Sequence, residues 1–275
     1  MHKKLVTLAA LALSAEALAQ GLPPAPSQQG DAQEPPLCTD RPTKSNAACT
    51  VPAGAIQIET DLIAWTRTDA AGTRVDTIAY TNPTLKLGLG RHTDVQFNIA
   101  PYVETRVRTP DGAVERIGGA GDLVLRLKQR LTDPDAALQV GVIPFVKAPT
   151  AKRGVGNREW EGGVAVPVQY ALPRGVTLTF GPEVDLLHDA DGRGKHVQLV
   201  GTANIAKAVA PTVGVAAELW TAQNYDPAGT VRQYSADVAV TWLVRPRLQL
   251  DAGANFGLNR ATPDAQAYLG LSTRF

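Results

Sequence analysis

Beyond the first twenty residues, the chain has no long apolar run. Its longest uncharged stretch there is 14 residues, Ser45–Ile58, and that stretch is not apolar. A helix that crosses a membrane needs about 20 consecutive, mostly apolar residues, so helical spans are excluded for this part. Charge of one sign is not in excess either: 27 basic residues stand against 26 acidic ones. Nucleic acid as a main partner would call for a basic surplus. Aromatic residues make up only 5%, which limits any aromatic girdle. Cysteine occurs twice, at Cys38 and Cys49. No histidine lies near them in sequence, and two cysteines alone do not complete a zinc site.

The start of the chain has its own composition. Met1-His2-Lys3-Lys4 is basic, Leu5 to Leu13 is apolar, and Ala17-Leu18-Ala19 precedes Gln20. This is the layout of a secretory signal peptide over residues 1–19. Export leads to an oxidising compartment, so Cys38 and Cys49 are expected to form a disulfide around Thr39–Ala48, with free thiols as the alternative. Such a bridge would stabilise by about 2–3 kcal/mol. From Gln20 to Pro36, five of 17 residues are proline. A segment of this kind buries too little apolar surface to order itself. Residues 20–53 are therefore expected to be a periplasmic N-terminal segment, and 54–275 the body of the protein.

That body alternates. Twelve segments show period-two patterning, from Ile56-Ile58-Thr60-Leu62-Ala64 to Ala267-Leu269-Leu271-Thr273-Phe275. Successive side chains on a strand point to opposite faces. The 60 positions of the apolar phase carry no charge, while the 48 positions between them carry 12. One face of every strand is therefore apolar and the other is polar. A soluble barrel would turn the apolar face inward; a membrane barrel turns it outward, around a polar lumen.

Three features favour the membrane version. Connections near 67–76, 109–120, 148–160, 188–196, 224–231 and 259–264 read as mostly long, and those near 90–94, 132–136, 173–175, 210–212 and 245–247 as short. Outer-membrane barrels have long external loops and short periplasmic turns. Aromatic residues in the apolar phase, among them Phe97, Tyr170 and Trp242, lie near strand ends. Phe275 closes the last amphipathic strand, as in the signal that the outer-membrane assembly machinery reads. The expected fold is all-β: a transmembrane, antiparallel, up-and-down β-barrel of about 12 strands in outer-membrane lipid. Pro83, Pro101, Pro144, Pro167 and Pro182 conflict with it, because they fall near mid-strand and proline cannot donate to a ladder.

No catalytic set stands out. Ser235 and Asp237 share a face, and His188 and His196 flank a loop, but no nucleophile motif surrounds the serine. Asp189-Ala190-Asp191-Gly192 resembles part of a calcium loop but lacks the later bidentate glutamate, so it reads as a polar turn. No enzyme activity, cofactor or metal site is expected. The informative residues are the charges of the polar face. Arg126, Lys128 and Arg130 form a basic ladder on the fourth strand, Glu59 and Asp61 lie on the first, and Glu183 and Asp185 on the seventh. Opposite signs across a lumen can select solutes or hold a plug; internal salt bridges that fill the barrel are the other reading.

Short motifs add a resemblance. Thr39-Asp40-Arg41-Pro42, Val51-Pro52-Ala53-Gly54 and Gln57-Ile58-Glu59 are followed by Leu87-Gly88-Leu89-Gly90-Arg91-His92-Thr93-Asp94-Val95-Gln96. Gly119-Ala120-Gly121-Asp122-Leu123, Lys128-Gln129-Arg130-Leu131 and Lys147-Ala148-Pro149-Thr150 come next. In this order they resemble the outer-membrane transporter family named for the meta-pathway of phenol degradation. The resemblance covers most of the chain after residue 38. It implies an outer-membrane channel or transporter that passes or binds small solutes, aromatic or other hydrophobic compounds among them. A non-transporting structural or adhesive barrel is the alternative.

Overall fold

A computed structural model describes residues 35–275. The expected signal peptide, 1–19, and most of the proline-rich stretch lie outside the described residues.

Seventeen strands make twelve staves. β1 (Ile56–Ala70) is the first, β2 (Thr73–Tyr80) and β3 (Thr84–Gly88) the second, and β4 (Thr93–Asn98) and β5 (Tyr102–Arg108) the third. β6 (Val114–Gly119) and β7 (Leu123–Arg130) form the fourth, β8 (Leu138–Ala148) the fifth. β9 (Glu161–Ala165) and β10 (Val168–Leu172) form the sixth, β11 (Val176–Phe180) and β12 (Glu183–His188) the seventh. β13 (Lys195–Ala210), β14 (Val213–Asp226), β15 (Gly229–Arg245), β16 (Leu248–Gly257) and β17 (Ala265–Arg274) complete the wall. Neighbouring staves pair antiparallel, and β1 pairs with β17 to close a twelve-stranded barrel. No described helix is long and apolar enough to cross a membrane.

Burial is inverted relative to a soluble protein. Among the described residues, 22 polar or charged side chains are buried against nine apolar ones. Lys86, Asp94, Gln96 and Lys128 are almost fully buried, while Leu125, Leu127, Val184, Leu219 and Trp242 are exposed. An aqueous solvent would not select this arrangement. A lipid exterior does, because it rewards the apolar face and excludes charge.

The prolines are accommodated where staves break. Thr81–Pro83 separates β2 from β3, Ile99–Pro101 separates β4 from β5, Val166-Pro167 separates β9 from β10, and Gly181-Pro182 separates β11 from β12. Leaving the ladder there removes the need for the missing N–H. Pro144 stays within β8, next to a gap in the pairing with β7 between Arg126↔Phe145 and Gln129↔Val142.

Two details depart from the sequence reading. In β1 a bulge at Leu62 shifts the register, so Ile63 turns outward and Ala64 inward, opposite to the expected phase. A bulge adds one residue and so reverses the faces beyond it. Three of the predicted long loops are largely strand: β1 continues to Ala70, β6 begins at Val114, and β14 runs to Asp226 before β15 starts at Gly229. These extensions lack the apolar alternation of the lower wall, so the pattern did not reveal them.

Candidate functional site

Residues 37–53, part of the segment that precedes the wall in sequence, run into its lumen. The Cys38–Cys49 disulfide forms, with Cα atoms 5.7 Å apart, and ties the ends of a loop that reaches inward side chains around the wall. Cys38, Ala48 and Val51 are buried, Ala48 close against the wall at Gly141. The rest of the loop's attachment is polar.

Asp40 sits between two wall lysines. Lys86 donates to one of its oxygens and Lys128 to the other, each at 2.5 Å. Lys86 also reaches Glu59 at 2.5 Å, and Lys128 donates to the Ala47 carbonyl at 3.0 Å. Burial opposes the charge on Asp40, but the two ammonium groups outweigh it and hold the carboxyl below its usual range. Arg41 makes the opposite contact. Its guanidinium meets Asp61 at 2.6 Å and Asp251 at 2.7 Å. Burial alone would lower its pKa, yet the two acids raise it. Gly270 makes room for this group: a Cβ there would lie 2.0 Å from Arg41 Nη2.

At the far side of the loop, Lys44 Nζ donates to Ser235 at 2.7 Å and to Asp237 at 2.8 Å. It also sits over the Trp220 ring, 4.6 Å from the centroid. The N–H groups of Lys44 and Ser45 donate to Glu218 at 2.8 and 3.0 Å. On the return path, the Ala48 N–H donates to Gln169 at 2.7 Å and the Val51 N–H to Asp94 at 2.9 Å. At Gly88 the wall touches the loop end so closely that a Cβ would lie 1.9 Å from the Pro52 carbonyl oxygen.

The loop divides the lumen. A cavity of about 450 Å³ opens at the short-turn end, lined by Lys207 and by neutral side chains such as Thr177, Thr179, Asn204 and Thr241. A second cavity of about 210 Å³ is lined by Glu59, Asp61, Lys86, Asn82, Asn98 and Arg126. Asp40, Arg41, Thr43 and Asn46 border both.

The residues singled out from sequence therefore separate. Glu59, Asp61 and Lys128 lie in the ion-pair network of the loop. Arg126 lines the smaller cavity. Arg130 donates to the Arg91 carbonyl near a short turn. Glu183 and Asp185 lie together on β12, where Asp185 accepts from Gln198. Sequence reasoning did not assign Glu218, Asp237 and Asp251 to a site. The signal was available: these three inward acids lie on adjacent staves, β14 to β16, with no wall lysine or arginine paired to them. Such acids require partners from elsewhere: Arg41 and Lys44 supply a cation to Asp251 and Asp237, and loop N–H groups supply donors to Glu218.

Chemistry elsewhere is structural in form. Ser235 is bonded to Lys44, and no described histidine contacts it. Asp189 to Gly194 is a tight turn, with the Asp189 N–H on the Gly194 carbonyl. His196 Nδ1 lies 2.8 Å from Asp189 and 3.5 Å from Asp226. This trio brings three potential ligand atoms within 4.8 Å of one another; the Ala190 N–H, donating to Asp226 at 2.8 Å, also ties the two hairpins together.

Fold and lumen together define a β-barrel of the outer-membrane type, closed inside by a segment of its own chain. The chain belongs to the family described as "Putative MetA-pathway of phenol degradation", whose model matches residues 39–275. That match begins inside the disulfide loop, so loop and wall form one family unit. An outer membrane channel from Pseudomonas putida F1 has a similar fold, with a TM-score of 0.68 at 15% identity, covering 83% of this chain and 98% of that one. The NanC porin gives 0.51 at 6% identity, covering 79% and 98%. The β domain of the Bordetella autotransporter BrkA gives 0.51 at 12% identity, covering 81% and 100%. No curated protein sequence matches the chain.

Proposed function

We propose that this protein is an outer-membrane channel, without enzyme activity, that passes small solutes passively when its N-terminal loop moves out of the lumen. The observation that carries this reading is the loop itself, which separates two cavities of one lumen. A twelve-stranded barrel falls between small side-chain-filled barrels and open porins, so a short segment suffices to block it. The polar wall suits a wet path, and the loop is held by ion pairs and N–H donors, which water can replace. Aromatic and other hydrophobic compounds are candidate solutes on the strength of the family name alone. We place the short-turn end and the loop's entry on the periplasmic side, and assign outward-facing Phe275 to recognition by the assembly machinery.

Planar-bilayer recording of the intact protein and of a variant lacking residues 37–50 tests this. The intact barrel should show small or intermittent conductance. The shortened one should conduct steadily and favour cations, because Asp61, Asp237 and Asp251 lose their positive partners and Glu218 loses the N–H donors of the loop. Equal, negligible conductance from both folded proteins would support a non-transporting structural barrel instead.

A further inference from the structure

The smaller cavity has one charge left over. Its walls carry four cations and three acids. Asp40, Glu59, Asp61, Lys86, Arg41 and Lys44 each hold an opposite charge within 2.8 Å. Arg126 holds none among the described residues. It influences Glu183 only through space, outside ion-pair range. A guanidinium with five donors in a planar fork is built to take a carboxylate by two parallel hydrogen bonds. Here the fork faces a cavity with further polar groups from Asn82, Asn98, Thr84 and Gln96.

We propose that Arg126 anchors a binding site for a compact organic monocarboxylate in this inner cavity. Two observations narrow the ligand. A single surplus positive charge suits a monoanion, and the nearby Glu59 and Asp61 oppose a doubly charged one. The volume, about 210 Å³, is below that of a drug-sized pocket, so the ligand is small. Inorganic phosphate, which carries up to two negative charges near neutral pH, is disfavoured by the same two acids. The site also borders Asp40 and Arg41, so a bound carboxylate touches the loop that closes the lumen. Its role in passage rests on the channel reading; binding itself does not.

The test is calorimetric titration of the folded, full-length protein in detergent with acetate, benzoate, phosphate and benzylammonium. A carboxylate should bind one to one, and Arg126→Met should weaken it at least about tenfold, the loss expected for one charge-assisted hydrogen-bond pair. Arg126→Lys should fall between, since it keeps the charge and loses the fork. Heat-modifiable migration on gels checks that each variant is folded. Any of four results would overturn the site: no saturable carboxylate binding, tighter binding of phosphate, equal binding of benzylammonium, or unchanged affinity in folded Arg126→Met. Conductance separates this from the channel reading. Loop-dependent conductance without carboxylate binding removes the site alone, and binding without conductance removes the channel alone.

Discussion

The two cavities of the lumen are built on different principles. The larger one, at the short-turn end, is walled by threonine, asparagine and small side chains. With Lys207, Asp40 and Arg41 as their few charges, such walls choose weakly by charge. The smaller one is walled by ions, most of them neutralising one another across the loop. The difference teaches that closure and selection are made by the same residues. Asp40 and Arg41 hold the loop in place and also form the boundary of the charged chamber. A soluble protein would reach such closure with apolar packing. Here the barrel's outer face has taken the apolar side chains, so the interior is held by charge.

The comparison breaks most sharply at Arg41. Arg41→Ala leaves Asp61 and Asp251 facing each other without their cation, and loss of one partner from a buried pair costs about 3–5 kcal/mol. The loop should detach, the two cavities should merge, and bilayer conductance should rise toward that of the loop-deleted protein. The barrel should keep its heat-modifiable gel migration, because the wall ladders are untouched. A conductance equal to the parent would show that Arg41 does not hold the partition.

A smaller effect is expected from the disulfide. Replacing Cys38 and Cys49 with serine frees the loop ends and removes about 2–3 kcal/mol of loop constraint. The ion pairs remain, so the channel should flicker between blocked and open rather than stay open. Chemical reduction of the parent should reproduce this behaviour. A steady, unaltered block in both cases would show that the polar contacts alone suffice.

Acid should act last and least. The Asp40 carboxyl is held below its ordinary value of 3.8 by Lys128 and Lys86, against the effect of burial. A depressed carboxyl stabilises the closed state above its ordinary value, and that contribution is lost as pH falls through the lowered one. Closure should therefore be insensitive to Asp40 near neutral pH and weaken only below 3.8. Conductance followed down that range in parent and Asp40→Asn proteins checks the sign. The variant should already be leaky at neutral pH, and a parent that opens well above pH 3.8 would point to another group.

Much of the wall was legible before the structure. Its twelve staves follow the alternating segments, and the charge-free phase marks the outward face. The bulge at Leu62 was not legible, because an inserted residue leaves no compositional trace. The strand breaks at four prolines were half legible: the prolines conflict with a ladder, but only the paired neighbours show that the chain leaves it. At the candidate site, the Asp40-Arg41 motif and the polar-face acids Glu218, Asp237 and Asp251 were all visible. What joins them was not.

Sequence by itself determined the kind of surface this protein presents. Period-two alternation is local, and phase alone decides which side chains meet lipid. It also supplied the two cysteines and a balanced count of charges. Tertiary structure decided that residues 37–53 enter the lumen and that Lys86, rather than some other cation, lies between Asp40 and Glu59. It decided, too, that Arg41 meets Asp251 across 210 positions of chain. No local pattern specifies such a contact, because it exists only once the first and last staves have closed the barrel. The missing long apolar run with which the chain began has the same origin. Closure satisfies the backbone between strands, so a chain can cross a membrane with half of its side chains facing inward and free to carry charge.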